Sequence, residues 1–405
     1  MKVVQINSTC ATGSTGKICY GISQCMTRSG IENYILYTVG KSNYHLGIKM
    51  ASDSYIKMQA AISHLRGNYG FNSILSTKRM IEKLKQIQPE LVHLHNIHSH
   101  DCNLEMLLSY LKENHIKLIW TLHDCWLFTA YCPHFIMAKC DRWMSGCEHC
   151  PQVKDFSLFF DRSKQLYQKK KELLSGLDLT IVTPSQWLAD MVGSSFLKSY
   201  PVKVINNGID LSVFRPTESD FRTKFGISPE KKVLLGVAFD WGTRKGLDVF
   251  QELAERLDRD TYQIVLVGID KDLEKKVSSH IVCISRTQNQ QELATIYSSA
   301  DVFVNPTREE NYPTVNMEAL ACGTPVVTFH TGGSPEMLDE TCGSVVDCDD
   351  IDALEKEIIR ICEERPYSEE ACLKKAKEFD KNERFKEYIE LYERIDVAGA
   401  ERDRI

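Results

Sequence analysis

The chain has 405 residues, with a hydrophobic content of 43% and a charged content of 26%, as expected for a globular protein with room for two or three domains. Its formal net charge of −6 argues against a general role in binding nucleic acid or other polyanions. No apolar run reaches the ~18 residues that span a bilayer, and residues 1–7 are predicted to form a strand rather than a signal peptide. We therefore expect a cytoplasmic protein whose 15 cysteines are mostly reduced thiols.

Ten short apolar runs alternate with segments of helix length and predict buried strands. They occupy residues 3–6, 91–94, 118–122, 179–182, 202–205, 233–237, 264–267, 281–284, 302–304 and 326–329. Strands that alternate with helices form parallel sheets, so we expect an α/β protein with two doubly wound, Rossmann-like domains. Its ligands are expected in a cleft at the carboxyl ends of the strands. The expected segments are an N-terminal domain at 1–198, a C-terminal domain at 199–380 and a charged helix at 381–405 that crosses back to the first domain.

A loop of small residues follows the first predicted strand. Gly13 and Gly16 lie just before the next helix, where backbone N–H groups can approach an anion closely. The loop is not a Walker A motif, because Ala11 stands where that motif has glycine and Ile18 where it has Ser or Thr. The alternative interpretation is a plain turn between a strand and a helix.

Histidines follow two of the predicted strands in the first half of the chain. His123 comes directly after the strand at 118–122, and a side chain at a strand's carboxyl end faces the ligand site of a doubly wound sheet. A structural histidine that caps a loop is the alternative. His93, His95, His98 and His100 alternate along another strand and loop, which leaves a metal site open as a second interpretation.

Four cysteines, Cys132, Cys140, Cys147 and Cys150, lie within 19 residues with the spacing Cys-x7-Cys-x6-Cys-x2-Cys. Four thiolates provide the tetrahedral coordination of a structural zinc ion. The segment has few apolar residues with which to fold alone, so a metal would help to order it. Free buried thiols and a disulfide are the alternatives, and a disulfide is disfavoured in the cytoplasm.

Basic residues cluster after the aromatic segment 156–160, in one predicted helix. They are Arg162, Lys164, Lys169, Lys170 and Lys171. Such a cluster can dock on anionic lipid, where each basic residue adds about 1 kcal/mol. Peripheral contact with the inner face of the membrane is one interpretation, and an ordinary solvated helix face is the other.

Two adjacent cations, Arg244 and Lys245, follow the predicted strand at 233–237 and precede Gly246. Adjacent cations beside a glycine suit a diphosphate leaving group, because they stabilise the charge that builds on its oxygens. A solvated basic turn is the alternative.

Two glutamates, Glu310 and Glu318, are separated by seven residues and lie on either side of Pro313. Proline is excluded from helix interiors, so Pro313 marks the start of a helix that carries Glu318 one to two turns inside. Carboxylates bind sugar hydroxyls, and a helix N-terminus favours phosphate. The pattern therefore suits a nucleotide-sugar, although acidic residues are also common at helix starts for electrostatic reasons alone.

The segment that holds these glutamates resembles the Glu-x7-Glu signature of the retaining glycosyltransferases of family 4, which have the GT-B fold. The resemblance extends through 297–307, 319–327 and 332–336, and weakly to the Asn-Gly-Ile-Asp segment at 207–210. Two departures stand out. The proline at 313 is closer to the first glutamate than in the usual family pattern, and the arginine of the basic loop is displaced to Arg244. The cysteine-rich insert resembles a subset of the family from bacterial surface-polysaccharide clusters.

The resemblance assigns roles to the residues of the C-terminal domain. It implies that Glu310 reads the sugar hydroxyls and that Glu318 holds the ribose. Asn311, Tyr312 and Thr314 would complete the donor site. It also implies that the Gly13 loop lines the cleft near the donor phosphates.

The resemblance also predicts the reaction. We expect a retaining glycosyltransferase that moves a sugar from a nucleotide-sugar donor to a lipid-linked or saccharide acceptor. The catalytic residues would be His123, Arg244, Lys245 and Glu310, with no catalytic metal. The alternatives are a GT-B epimerase or phosphorylase, or a sugar-binding module without activity.

Overall fold

The structure, a computed structural model, describes residues 1–98 and 100–402. These residues form two compact units, Met1–Asn206 with the chain from Asn382 onwards, and Asn207–Lys381. Each unit is a parallel sheet with its own apolar cores. The predicted class, two doubly wound α/β domains, is confirmed.

The first unit contains a sheet of seven parallel strands. They are β1 (Lys2–Ile6), β2 (Glu32–Tyr37), β3 (Gly47–Lys49), β4 (Leu91–Leu94), β5 (Lys117–Thr121), β6 (Leu179–Thr183) and β7 (Val202–Val204). Their order across the sheet is β3-β2-β1-β4-β5-β6-β7. Val4 of β1 pairs with Val92 of β4 and with Tyr34 of β2. The strand order therefore reverses between β1 and β4, which is where such sheets bind ligands.

The second unit contains a sheet of six parallel strands. They are β8 (Lys232–Val237), β9 (Tyr262–Val267), β10 (Ile281–Ile284), β11 (Val302–Asn305), β12 (Val326–Phe329) and β13 (Gly343–Val346). Their order is β10-β9-β8-β11-β12-β13, so the reversal lies between β8 and β11. Phe303 of β11 pairs with Leu235 of β8, which sets the register at this point.

Helices connect the strands in both units. Those of the first unit are α1 (Gly13–Arg28), α2 (Asp53–Arg66), α3 (Ile74–Ile87), α4 (Leu104–Glu113), α5 (Val153–Phe156), α6 (Ser163–Leu174) and α7 (Gln186–Gly193). Those of the second unit are α8 (Phe221–Lys224), α9 (Leu247–Arg256), α10 (Lys271–Glu274), α11 (Gln290–Ser298), α12 (Thr314–Ala321), α13 (Ile351–Glu364) and α14 (Glu369–Ala376). Five short 3₁₀ turns complete the described residues: Trp126–Phe128, Arg142–Met144, Thr243–Lys245, Pro335–Met337 and Lys377–Phe379.

Many helix starts follow from their capping residues. The side chains of Ser52, Asn103, Ser185, Asn289 and Asp350 each accept a hydrogen bond from a backbone N–H in the first turn of the next helix. Such a cap contributes about 1 kcal/mol, because it satisfies a donor that the helix itself leaves unpaired.

The last helix, α15 (Lys381–Arg402), packs into the first unit. Its residues Phe385, Tyr388, Ile389 and Tyr392 are buried in one cluster with residues of β1, α1, β4, β5 and β6. A Cβ at Gly21 of α1 would overlap the Phe385 ring, so only glycine leaves room for this close helix packing. Burying each large side chain contributes about 1.5–3 kcal/mol.

All ten predicted strands are present, and three were missed: β2, β3 and β13. The segment of β2 mixes Glu, Asn and Tyr with its apolar residues, and β3 has only three residues. The first unit extends to Asn206, beyond the predicted boundary at 198/199, because β7 pairs with β6. Within the described residues, no helix is long and apolar enough to cross a membrane.

Candidate active site

The strand-order reversal of the second sheet organises the candidate donor site. The loop after β8 and the loop after β11 leave the carboxyl ends of two neighbouring strands at this reversal. Ligands of doubly wound sheets bind at such a point. The first loop carries Arg244 and Lys245, and the second carries Glu310. The fold therefore brings the predicted cations and the first predicted carboxylate together.

The loop after β8 is held by two features. The indole Nε1 of Trp241 donates a hydrogen bond of 2.9 Å to the Val267 carbonyl at the end of β9. Gly246 adopts φ +74°, and a Cβ there would lie 2.5 Å from the Pro306 carbonyl oxygen. Only glycine permits this approach of the two loops.

The loop after β11 is held by buried polar contacts. Asn305 Nδ2 donates to Asn316 Oδ1 of α12 at 2.8 Å, and Thr307 Oγ1 donates to Asn305 Oδ1 at 2.6 Å. Pro313 is the residue before α12, as predicted. At Gly332, with φ +55°, a Cβ would overlap the Glu310 carbonyl oxygen. The backbone at Glu310 thus has little freedom.

Lys245 and Glu310 form an ion pair that joins these loops. Lys245 Nζ lies 2.5 Å from Glu310 Oε2, and the two side chains are only 20% and 19% exposed. The other carboxylate oxygen, Oε1, accepts a 3.1 Å hydrogen bond from the Asn311 N–H. The sequence predicted both residues for the site but not their contact with each other.

Arg308, which sequence reasoning missed, is a second link between the loops. Its guanidinium contacts both carboxylate oxygens of Asp248 on α9 at 2.8 Å, and its Nε contacts Asp349 at 2.6 Å. Its backbone N–H also donates to the Arg244 carbonyl at 2.9 Å. The hydrogen bonds to Asp248 and Asp349 raise the pKa of Arg308 despite its partial burial. Arg244 itself is half-buried, and its Nη1 donates to the Glu309 carbonyl at 3.3 Å.

Glu318 lies on α12 and has its own partner. The hydroxyl of Tyr297 donates a 3.1 Å hydrogen bond to Glu318 Oε2. Tyr297 is fully buried on α11, and burial together with the facing Glu318 raises its pKa well above the usual value. The phenol therefore stays protonated and keeps donating its hydrogen bond to the Glu318 carboxylate. Sequence reasoning found Glu318 but not Tyr297.

Three other predicted donor residues lie in the loop before α12 and at its first position. Asn311 and Tyr312 are 5% and 6% exposed, and Tyr312 belongs to an apolar core. The Tyr312 carbonyl accepts a hydrogen bond of 3.3 Å from Asn207 Nδ2. Thr314 is the first residue of α12 and is half-buried. The Tyr312 side chain thus packs in the apolar core. Any contact of Tyr312 with a nucleotide-sugar would come from its backbone.

An exposed aromatic residue near the end of β8 was not predicted. The Phe239 side chain is 76% exposed, which is unusual for a phenylalanine. The Arg286 guanidinium, just beyond β10, lies 4.0 Å from the centre of its ring. The pair forms a flat, cationic surface beside the carboxyl ends of the strands.

The first unit places the Gly13 loop after β1. Gly13 begins α1 with φ +67°, and a Cβ at Gly16 would lie 2.5 Å from Thr9 Oγ1. Thr9 Oγ1 in turn donates to the Thr12 carbonyl at 2.8 Å. The loop is tight, and no acidic side chain lies in the first turn of α1.

His123 joins a hydrogen-bonded network at the carboxyl ends of β1, β4 and β5. His123 Nε2 lies 3.2 Å from His95 Nδ1, and His95 Nε2 lies 3.0 Å from Gln5 Oε1. Gln5 Nε2 donates to the Cys19 carbonyl of α1 at 3.0 Å. Burial lowers the pKa of His123 to about 4, although the charge of Asp124 opposes this shift. Sequence reasoning found His123 but not its link to Gln5.

The other histidines have partners of their own. His93 contacts the hydroxyls of Tyr392 and Thr121 at 2.7 and 2.8 Å. His98 Nε2 lies 2.8 Å from Asp124 Oδ2, and this contact lowers the Asp124 pKa to about 2 even though burial opposes it. In residues 1–98 and 100–402, no group of three or more His, Cys, Asp or Glu side chains is arranged to hold a metal ion. The contacts of His93 and His98 with other side chains therefore give no support to the interpretation of these histidines as a metal site.

Cys132, Cys140, Cys147 and Cys150 line one cavity of about 20 Å³ in the first unit. The Sγ atoms of Cys132 and Cys150 are 3.9 Å apart, and all four are free thiols. The four predicted cysteines thus lie around one cavity. In the described part of the chain, no three of them are at metal-binding distances from a common point.

Lys170 corrects the prediction of a uniformly exposed basic helix. Its side chain is fully buried, and its Nζ donates to the Trp126 and Thr129 carbonyls at 2.7 and 2.9 Å. Its ammonium lies 3.5 Å from the centre of the Trp126 ring. Burial lowers its pKa well below the usual value. Lys164 and Lys171 of the same helix are exposed, as expected.

Two family models match the chain. Residues 17–213 match the model described as Glycosyltransferase Family 4, and residues 231–364 match the model described as Glycosyl transferases group 1. Together with two doubly wound sheets and a cation–carboxylate site at the second strand reversal, these matches define a glycosyltransferase with the GT-B fold.

Over residues 17–213, just under half of its length, the chain is similar to the family 4 glycosyltransferases. It is 24% identical over 371 residues to the putative colanic acid biosynthesis glycosyl transferase WcaC of Escherichia coli K12, covering 85% of this chain and 87% of that one. Its fold is similar to that of sucrose-phosphate synthase from Thermosynechococcus elongatus, with a TM-score of 0.72, 16% identity and coverage of 98% and 99%. Anabaena HepE, solved in complex with UDP-glucose, gives a TM-score of 0.68 at 14% identity, covering 96% of this chain and 99% of that one.

Proposed function

We propose that the protein transfers a sugar from a nucleoside-diphosphate-sugar to a lipid-linked or saccharide acceptor, with retention of configuration, in surface polysaccharide assembly. The observation that carries the proposal is the Lys245–Glu310 pair, which joins two loops at a ligand-binding position of the second sheet. The similarity to WcaC, named for colanic acid biosynthesis, and the fold of HepE, solved with UDP-glucose, support it.

Lys245 and Arg244 are proposed to stabilise the diphosphate. When the sugar leaves, negative charge builds on the diphosphate oxygens, and fixed cations lower the energy of that state. In the free protein Glu310 keeps the Lys245 ammonium in place at 2.5 Å. The pair is mostly shielded from water, so each charge interaction there is stronger than at an open surface. When the donor is bound, the Lys245 ammonium stabilises the diphosphate, and Glu310 accepts hydrogen bonds from the sugar hydroxyls.

The nucleoside end of the donor is assigned to Glu318 and to the Phe239–Arg286 surface. Glu318 accepts hydrogen bonds from the ribose hydroxyls, and the buried Tyr297 fixes the aim of its carboxylate. The exposed Phe239 ring and the Arg286 guanidinium suit the flat face of a nucleobase.

The proposed reaction is a displacement on one face of the sugar. The bond between the sugar C1 and the diphosphate oxygen breaks, and its electron pair stays with the diphosphate. The acceptor oxygen forms the new bond to C1 from the same side, and its proton passes to a donor phosphate oxygen. The catalytic role expected for His123 stays a prediction. In the proposed reaction Lys245 and Arg244 supply the positive charge, so no step uses a metal ion.

Peripheral contact with anionic lipid is proposed for an apolar patch on the first unit. Leu158, Phe159 and Phe160 are 58%, 71% and 52% exposed, and they follow one another along the chain. The Leu158 N–H donates to the His64 carbonyl, which brings the exposed end of α2 alongside. Arg162 lies 5.5 Å from the Phe160 ring centre and adds positive charge. Aromatic side chains flanked by basic residues suit a membrane surface and a lipid-linked acceptor.

A panel of UDP-, GDP- and ADP-sugars, assayed with lipid-linked and saccharide acceptors, tests this function. The proposal expects one donor to be consumed with a product of retained anomeric configuration, read by NMR. Interconversion of donors without an acceptor would indicate an epimerase, and turnover that requires phosphate would indicate a phosphorylase. Binding without turnover of any donor would indicate a sugar-binding module.

A further inference from the structure

The hydrogen-bond partners of Gln5 allow only one orientation of its side-chain amide. A carbonyl oxygen only accepts hydrogen bonds, so the Gln5 atom 3.0 Å from the Cys19 carbonyl is the NH₂ group. The Gln5 oxygen therefore faces His95 Nε2 at 3.0 Å. Since this oxygen can only accept, His95 carries its proton on Nε2.

The proton position on His95 determines the proton position on His123. Burial lowers the pKa of His95 well below the usual value, so the ring is neutral and its Nδ1 has a lone pair. His123 Nε2 lies 3.2 Å from that nitrogen, and the two rings are nearly parallel, at 17°. His123 must donate from Nε2, which makes Nδ1 the acceptor nitrogen of its neutral ring.

We propose that Gln5 and His95 are positioning residues that fix His123 as its Nε2–H tautomer. Each hydrogen bond in the series from the Cys19 carbonyl to His123 has only one donor arrangement that satisfies every member. A misplaced or wrongly protonated ring would no longer present the same nitrogen to a ligand. The use of this ring in sugar transfer rests on the proposed function, whereas the tautomer itself does not.

Burial and the neighbouring histidines favour the neutral state of the two rings, and one facing carboxylate opposes it. His93 lies beside His95, with ring centres 3.9 Å apart, and its own pKa is lowered by burial. His98 is paired with Asp124, whose carboxylate is the charge that opposes the shift of His123. Burial outweighs that carboxylate, so the tautomer applies at neutral pH.

NMR of ¹⁵N-labelled histidine in the intact protein tests the assignment, because the Nδ1 and Nε2 shifts distinguish the tautomers. We expect Nε2–H signals for His95 and His123 at pH about 7.5, with assignment by loss of each signal in His95→Gln and His123→Gln. Gln5→Met removes the acceptor while keeping an unbranched chain of similar length. It should mix the His123 tautomers and lower kcat by up to about a hundredfold with little change in donor KM.

Tyr392→Phe is the matched control, because it removes a buried hydrogen bond to His93 without touching Gln5, His95 or His123. It should leave both signals unchanged. A wild-type His123 signal of the Nδ1–H form, or an unchanged tautomer in Gln5→Met, would overturn the proposal; the wild-type spectrum decides even if Gln5→Met does not fold. The expected signals in a protein that turns over no donor would support the tautomer and refute the proposed function instead.

A second observation, the cavity lined by four cysteines, points to a metal site. In a tetrahedral zinc centre with Zn–S bonds of about 2.3 Å, neighbouring sulfurs are about 3.8 Å apart. Cys132 and Cys150 are already 3.9 Å apart, and Cys140 and Cys147 are half-buried on the same cavity. A volume of about 20 Å³ accommodates one atom of this size.

Lys170 lies where such a centre needs positive charge. Zinc with four thiolates carries a net charge of −2, which is costly to bury without a cation nearby. Lys170 Nζ donates to the Thr129 carbonyl, and Thr129 both lines the cavity and donates through its hydroxyl to the Cys132 carbonyl at 2.7 Å. The charges of Cys147 and Asp124 favour the protonated form of Lys170, against the burial that lowers its pKa.

The geometry points to a structural zinc ion bound by Cys132, Cys140, Cys147 and Cys150, with Lys170 as the buried counter-charge. Binding draws Cys140 and Cys147 towards the pair that is already close. The ion would link the ends of the segment after β5 to each other, in addition to the core contacts that Trp126, Phe128 and Trp143 of this segment already make.

Elemental analysis of the purified full-length protein tests this site. We expect about one zinc per chain, and less than half of that in Cys147→Ser. Cys283→Ser, which changes a half-buried thiol of the second unit, should keep the metal. Lys170→Met should release zinc to a chelator faster than the wild type. Absence of zinc with all four thiols titratable in the folded protein, or a Cys132–Cys150 disulfide by mass spectrometry, would overturn the proposal.

Discussion

Lys245 Nζ and Glu310 Oε2 are 2.5 Å apart, and each side chain belongs to a different loop at the reversal of strand order in the second sheet. Both were predicted for the site from separate segments, one for phosphate and one for sugar. In the proposed function, this single pair of opposite charges serves both ends of the donor linkage, Lys245 at the diphosphate and Glu310 at the sugar. It also implies that neither residue can be changed without affecting the placement of the other.

Glu318→Ala should weaken the binding of free nucleotide while the fold stays intact. Loss of one charged hydrogen-bonding group costs roughly 1.5–3 kcal/mol, which corresponds to about ten- to hundredfold in Kd. Isothermal titration with the nucleoside diphosphate of the active donor measures the effect. Tyr297→Phe keeps the carboxylate but removes its buried donor, so we expect a smaller loss. Unchanged nucleotide affinity in Glu318→Ala would contradict the ribose assignment.

Gly332→Ala should lower both stability and activity, because the added Cβ overlaps the Glu310 carbonyl at a positive φ. Gly226→Ala is the matched control, since Gly226 has φ +66° in the same unit with no atom within 4 Å of an added Cβ. The control should lose only about 1 kcal/mol of unfolding free energy. Urea unfolding and donor turnover are the measurements. Equal effects of the two substitutions would show that the Glu310 backbone is not constrained by this contact.

Stability should fall as the pH drops from about 6.5 to about 4. The pKa of His123 is lowered to about 4 by burial, so in this range the unfolded chain binds a proton that the folded one does not. The stabilisation is complete above about 6.5 and is lost at a rate of at most about 1.4 kcal/mol per pH unit for this group. Protonation of Asp124, whose pKa in the folded protein is about 2, reduces the stability only below about pH 4.

Unfolding free energies of wild type and His123→Gln across this range check the assignment. The variant should show a shallower slope, whatever its absolute stability. The remaining slope is expected from His93 and His95, whose pKa values burial also lowers, and from His100, lowered to about 4. Identical slopes in the two proteins would contradict the assigned shift of His123.

Phe159→Ser should reduce flotation of the protein with vesicles rich in anionic lipid. Phe159 is 71% exposed in the apolar patch of the first unit, whereas the control, Phe239, is 76% exposed in the second unit. Phe239→Ser should bind vesicles like the wild type. Zwitterionic vesicles should capture less protein, because the basic residues beside the patch contribute through anionic lipid. Equal flotation of all three proteins would remove the membrane proposal.

Much of the architecture could be read from local sequence. Each predicted strand is a short apolar run, and burial on both faces of a parallel sheet requires such runs. Pro313 marked the start of α12 because proline has no N–H to give to a helix interior. The missed strand β2 carries polar side chains that find partners only in the fold, such as Asn33, which accepts a hydrogen bond from Ser23 of α1.

The parts of the site that sequence did not show depend on partners far along the chain. Arg308 is one basic residue among many until Asp248 and Asp349 face it. Tyr297 and Gln5 have ordinary neighbours in sequence, and their roles follow from contacts across the sheet. Lys170 was grouped with exposed lysines because its burial is set by the segment after β5, not by its own helix.

Turnover by Lys245→Ala is the most direct test of the account, measured with the donor found active in the panel. The control is Lys381→Ala, since Lys381 and Asp210 form an ion pair of the same 2.5 Å length and similar exposure that belongs to neither of the two loops at the strand reversal. We predict that Lys245→Ala lowers kcat by about a hundredfold or more while the affinity for the free nucleoside changes little, because the ammonium acts as the diphosphate leaves. Lys381→Ala should retain the wild-type kcat. Wild-type kcat in Lys245→Ala, or equal losses in both variants, would contradict the central claim that Lys245 stabilises the departing diphosphate.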